Sequence, residues 1–76
     1  MTLKVLDSVV LKRDLPDHGL KKGDIGAVVE LYESGGVEVE FVTGSGKTQA
    51  LVTLKHSDVR AVADSEILAA RPLDAA

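Results

Sequence analysis

The sequence predicts an all-β fold: a small SH3-like barrel of about five strongly twisted antiparallel strands, with a long loop after the first strand and a 3₁₀ turn before the last. Three observations predict it. The run His18-Gly19-Leu20-Lys21-Lys22-Gly23-Asp24-Ile25-Gly26 carries three glycines through a charged loop, and the last glycine opens an apolar strand. Glycine adopts backbone conformations that side chains forbid, so loops that fold tightly onto a small sheet collect it. Val37-Glu38-Val39-Glu40-Phe41 alternates strictly between apolar and acidic residues, as a half-buried strand does. Ser34-Gly35-Gly36 and Gly44-Ser45-Gly46-Lys47 supply turn chemistry on either side of it.

With 76 residues there is room for one domain, expected over residues 1–72, with 73–76 as a disordered tail. An apolar fraction of 45% is that of a globular chain. Cysteine is missing, which removes disulfides and thiolate metal sites and fits a reducing cytoplasm. The start, Met1-Thr2-Leu3-Lys4-Val5, lacks an apolar stretch of signal-peptide length, and no run approaches a membrane span. A cytoplasmic protein with no membrane attachment is expected.

Taken in order, residues 6–11 read as the first strand, with Val9 and Leu11 on one face and Val10 on the other. Residues 12–24 form a shaped loop rather than a helix, because Pro16 fixes its own backbone and biases Leu15 toward an extended conformation. A hairpin follows over residues 27–43. A three-residue loop Ser34-Gly35-Gly36 sets Leu31 opposite Val39 and Val29 opposite Phe41. Those four then share the core face, and Glu30, Tyr32, Glu38 and Glu40 share the wet one, with Glu30 directly opposite Glu40. A two-residue Gly35-Gly36 loop mixes both faces, and register follows the hydrophobic pattern. The next strand is expected near residues 48–55, with Ala50, Val52 and Leu54 inward and Leu51 and Thr53 outward. His56-Ser57-Asp58 reads as the 3₁₀ turn and residues 59–62 as a short strand. Asp64 is a candidate helix cap, so Ile67-Leu68 lies either in a helical turn or in a last strand; Pro72 stops any helix soon after.

No motif points to catalysis, a cofactor or a metal. Thr43-Gly44-Ser45-Gly46-Lys47-Thr48 ends like a phosphate-binding loop, but Phe41 stands where that motif needs its first glycine. A strand-like Gln49-Ala50-Leu51-Val52 follows where a helix N-terminus would have to cradle phosphate. His18 and His56 fall in loops with no recognised ligand spacing, and the serines occupy turn, cap or strand-surface positions. The chain has one Tyr, one Phe and no Trp, so it lacks the aromatic platform of proline-rich-peptide grooves and single-strand nucleic-acid sites.

Charge is the remaining signal. The net charge of −3 disfavours a generic nucleic-acid binder, and its distribution is uneven: residues 27–43 hold four acids and no base. The candidate contact surface combines the loop, through Arg13, His18, Lys21, Lys22 and Asp24, with the acidic hairpin face at Glu30, Tyr32, Glu38 and Glu40. Homo-oligomerisation stays open through Val10, Val28, Val42 or Leu51.

The stretch from Leu6-Asp7-Ser8-Val9-Val10-Leu11 through Leu15-Pro16-Asp17-His18-Gly19-Leu20-Lys21-Lys22-Gly23-Asp24-Ile25-Gly26 resembles a family of small bacterial proteins known only as a domain of unknown function. The resemblance continues through Val37-Glu38-Val39-Glu40-Phe41, Thr53-Leu54, Asp58-Val59-Arg60 and Glu66-Ile67-Leu68, covering most of residues 5–71. It implies an SH3-like barrel without established enzymatic activity, and it assigns no site residues. More distantly, residues 20–29 are similar to the KOW motif of ribosomal and transcription-elongation proteins, which would imply RNA contact; the acidic hairpin departs from that pattern. The expectation is a non-enzymatic protein-interaction module, antitoxin-like or an accessory subunit, whose partner is another protein encoded nearby. The alternative is a KOW-like RNA-binding barrel using Lys12, Arg13, Lys21 and Lys22.

Overall fold

Two identical turns organise the sheet. In the first, the Tyr32 carbonyl accepts the Gly35 N–H at 3.0 Å and the Gly36 carbonyl accepts the Tyr32 N–H at 2.9 Å. In the second, the Thr43 carbonyl accepts the Gly46 N–H at 2.9 Å and the Lys47 carbonyl accepts the Thr43 N–H at 2.8 Å. Each is a three-residue loop whose last member is left-handed, Gly35 at φ 92° and Gly46 at φ 84°. Glycine takes that conformation without the clash a Cβ would make, which is why both loops end on it.

The computed structural model describes residues 2–73. It places five antiparallel strands in one open sheet: β1 (Ser8–Leu11), β2 (Ile25–Leu31), β3 (Gly36–Val42), β4 (Thr48–Lys55) and β5 (Val59–Ala61), in the order β4-β3-β2-β1-β5. Short 3₁₀ turns lie at Pro16–His18 and His56–Asp58, the second immediately before β5. The all-β, barrel-like fold with a long loop after β1 is therefore as expected. As expected, Gly44-Ser45-Gly46 is a hairpin turn followed by β4 and not a phosphate-binding loop.

One face of the sheet builds the core: Val9 and Leu11 from β1, Val28 from β2, Val37, Val39 and Phe41 from β3, Leu54 from β4 and Val59 from β5. Leu3 from the N-terminal segment and Leu15 and Leu20 from the long loop join it. The loop closes on itself through an isolated bridge between Leu15 and Leu20, which buries both side chains. Each such side chain contributes on the order of 1.5–3 kcal/mol by leaving water. As expected, Ala50 and Val52 pack against this core while Leu51 stays 55% exposed.

The register of the first hairpin differs from the expected one. The loop is Glu33-Ser34-Gly35, one residue earlier than Ser34-Gly35-Gly36, so Leu31 pairs with Val37 and Glu30 with Glu38. A bulge between Val28 and Glu30 then shifts the ladder, and Val28 pairs with Val39. Val28 is fully buried, whereas Val29 is half-buried and Leu31 is 37% exposed. The bulge inserts one extra residue into β2, which moves every later side chain to the other face. Val39 and Phe41 face the core as expected; Val29 falls at the bulge, and Leu31, opposite Val37, stays on the core face but at its rim, 37% exposed.

Three further expectations are corrected. Val10 (7% exposed) and Val28 (fully buried) offer no surface to a second copy; only Val42 (57%) and Leu51 (55%) of the four candidates do. Residues 4–7 form a turn ahead of β1, closed by the Asp7 N–H on the Lys4 carbonyl at 3.0 Å, with Leu6 left-handed at φ 78°. Ile67-Leu68 lies in neither a strand nor a helical turn: Asp64 caps no helix, and residues 62–73 run as an irregular arm. Of the expected tail, only Leu73 falls within the described residues. No helix among the described residues is long and apolar enough to cross a membrane.

Candidate functional site

The outer face of the β2-β3-β4 hairpins gathers the acidic residues. Glu30 stands directly opposite Glu38, and β4 places Thr53 beside Glu38 and Leu51 beside Glu40. Tyr32 leaves β2 at the mouth of the turn, where its hydroxyl donates to Glu38 Oε1 at 2.9 Å. That hydrogen bond, with burial and the charges of Glu38 and Glu30, raises the Tyr32 pKa. Thr48 Oγ1 donates to Glu40 Oε2 at 2.7 Å. Val42 and Leu51, each more than half exposed, flank Glu40 along β3 and across from it on β4.

Among the described residues, no Lys or Arg forms an ion pair with Glu30, Glu38 or Glu40. The β4 neighbours of Glu38 and Glu40 are the uncharged Thr53 and Leu51, and Lys55 sits opposite Gly36 instead. Two carboxylates directly opposed cost about 0.2–1 kcal/mol. The face therefore combines uncompensated negative charge with exposed apolar side chains. Nothing in that arrangement supplies a buried acid or base, and among the described residues no three His, Asp or Glu side chains converge on a cation.

The loop residues are placed differently. Asp24 precedes β2 and Glu30 lies near its far end, about 20 Å of strand apart at ~3.3 Å per residue. Arg13 is committed to Asp58: its Nε reaches Oδ1 at 2.9 Å and its Nη2 reaches Oδ2 at 3.5 Å. Asp58 also caps its own 3₁₀ turn by accepting the Lys55 N–H at 3.0 Å. The Arg13 contact holds the Asp58 carboxyl below the usual range, against the opposing effect of burial. The His18 carbonyl accepts Gln49 Nε2 at 3.2 Å, which ties the loop tip to the start of β4. The Lys22 N–H donates to Asp14 Oδ1 at 2.8 Å, and Lys21 and Lys22 are exposed.

Asp24 holds the C-terminal arm. Arg71 donates from Nε to Oδ1 at 2.8 Å and from Nη2 to Oδ2 at 2.6 Å, and Nη2 also reaches the Gly19 carbonyl at 3.0 Å. The Lys21 N–H adds a bond to Oδ2 at 2.8 Å. Burial alone would raise the Asp24 carboxyl; the hydrogen bonds from Arg71 and Lys21 and their charges outweigh it and hold the pKa low. A second clasp joins Arg60 to Glu66 by two bonds of 2.7 Å each. The nine expected contact residues thus fall into an acidic face, an Arg13–Asp58 pin, an exposed basic loop and the Asp24 clamp. Sequence reading missed Arg71, whose partner lies 47 residues away, and it treated Leu51 and Val42 as a separate matter.

Residues 5–61 match the family model described as "Domain of unknown function (DUF4926)", which covers most of the chain; the chain belongs to that family, as the resemblance implied. No curated protein and no solved structure matches it.

Proposed function

We propose that this family member is a non-enzymatic protein-interaction module, and that the outer face at Glu30, Tyr32, Glu38 and Glu40, with Val42 and Leu51, docks a basic, partly apolar surface of another protein. The observation that carries this reading is the uncompensated acid: opposed carboxylates are retained with no base in contact among the described residues. A basic partner would relieve that repulsion and bury the two exposed aliphatic side chains. Charge complementarity of this kind speeds and selects association more than it tightens it. An accessory or toxin-neutralising subunit of a cytoplasmic bacterial complex, encoded beside its partner, fits such a surface.

RNA binding through Lys12, Arg13, Lys21 and Lys22 is the competing reading. It is weakened by the commitment of Arg13 to Asp58 and by the acidic balance of the chain. Affinity capture from the native host with the wild-type chain and with the Glu38→Lys/Glu40→Lys variant separates them. Loss of a stoichiometric protein partner in the variant supports the acidic face. Capture unchanged by the double reversal, or capture abolished by nuclease treatment, retires it.

A further inference from the structure

We propose a second site on this chain: the cleft at Asp24 and the Gly19 carbonyl recognises an arginine in an extended segment of a partner protein, and the chain's own arm is its tethered occupant. The proposal does not depend on the acidic outer face.

The cleft has the parts that arginine recognition needs. The planar guanidinium matches a carboxylate through two parallel N–H···O bonds, and a third donor needs a fixed carbonyl. Asp24 supplies the first and Gly19 the second. Neither moves easily. Asp24 is braced by the Lys21 N–H, and the Gly19 backbone is held by its N–H on the Pro16 carbonyl at 3.1 Å, inside the bridged Leu15-Leu20 loop. The ion pair is withdrawn from water, with side-chain exposures of 28% for Arg71 and 16% for Asp24. Leu20 and Phe41 line the cleft with apolar side chains, and a residue before proline, as Arg71 is, is biased toward extended backbone.

The arm is a loose fit for this receptor. A cleft of about 490 Å³ stays open between residues 69–73 and the barrel. Ile67 and Leu68 of the arm are 90% and 64% exposed, so they add little to its docking. Among the described residues the arm forms no strand or helix. The receptor half of the contact, Gly19, Asp24 and Phe41, lies inside the matched domain of residues 5–61, whereas Arg71 lies outside it. Tethering supplies an effective concentration in the millimolar range, so even a weak cis contact stays formed until a better segment competes.

The test uses the full chain carrying Arg71→Ala, whose arm lacks the guanidinium, and a fluorescent peptide of residues 66–73, Glu-Ile-Leu-Ala-Ala-Arg-Pro-Leu. Fluorescence anisotropy should show the R71A chain binding this peptide about tenfold or more tightly than the wild-type chain does. The same peptide with citrulline in place of arginine should lose at least about tenfold on the R71A chain. Failure of the R71A chain to bind at millimolar peptide, with its circular dichroism unchanged, overturns the site. Equal binding of the citrulline peptide overturns the arginine reading. A wild-type dimer by sedimentation that R71A dissolves would make a second copy's arm the occupant and overturn the partner-segment reading.

Discussion

At Gly26 the core leaves no room for a side chain. A Cβ built there would lie 2.6 Å from Val39 Cγ1, 2.8 Å from Phe41 Cε1 and 2.9 Å from the Glu40 carbonyl. The carbonyl belongs to the β3 backbone and cannot swing aside as a flexible side chain would. Gly26→Ala is therefore expected to destabilise the fold by about 1–3 kcal/mol, the usual result of forcing extra volume into a packed core. Urea unfolding checks this, and an unchanged midpoint would mean that β3 stands further from β2 than described. The sequence marked Gly26 as the opening of a strand but gave no hint of why a glycine was needed. Leu6 was equally silent: its φ of 78° is a conformation that a branched side chain seldom adopts, and turn rules would have placed glycine or asparagine there.

At the scale of the element, β3 and β4 were legible and β2 was not. Val37, Val39 and Phe41 alternate without interruption against acids, so their inward face follows from period two alone. In β2 the adjacent Val28 and Val29 satisfy either register, and only the bulge decides between them. Val28→Ala should cost about 2 kcal/mol, and Leu31→Ala, at the rim of the core face, about 1 kcal/mol, in the same unfolding assay. The reverse ranking would restore the register read from the pattern. The arm was illegible for a different reason. Its clasps are pairings of arginine with distant or bent-back carboxylates, and periodicity carries no information about them.

Its second clasp has a measurable pH signature. The Arg60 guanidinium and the Ala63 N–H hold the Glu66 carboxyl down to about 2 from an ordinary value of 4.5. The folded arm thus releases this proton at lower pH than the unfolded chain does. The contact contributes fully above about pH 4.5 and is lost as pH falls toward 2. The Ala63 amide, which donates to Glu66 Oε1 at 2.7 Å, should report that titration by NMR with a midpoint near the low value. Arg60→Gln should move the midpoint up toward the ordinary carboxylate range. A wild-type midpoint already in that range would mean that the clasp is not formed.

For the molecule as a whole, the sequence conveyed the barrel-like fold and the concentration of acid in one hairpin. It did not convey how the surface is divided. The loop and the hairpin were read as one contact surface because both are polar and charged. In three dimensions Asp24 and Glu30 stand at opposite ends of β2, and Asp24 and Arg13 are occupied by Arg71 and Asp58. That leaves the outer face as the region where charge is uncompensated and apolar side chains are exposed together. An ¹⁵N–¹H titration with a lysine-rich peptide tests this most directly, since lysine lacks the guanidinium fork that the Asp24 clamp accepts. At low ionic strength the amides of Glu30, Tyr32, Glu38, Glu40 and Leu51 should shift, and the shifts should fade above roughly 0.1 M salt as screening shortens to about 10 Å. No shift on these strands at low salt, or the same shifts in the Glu38→Lys/Glu40→Lys chain, would contradict the account.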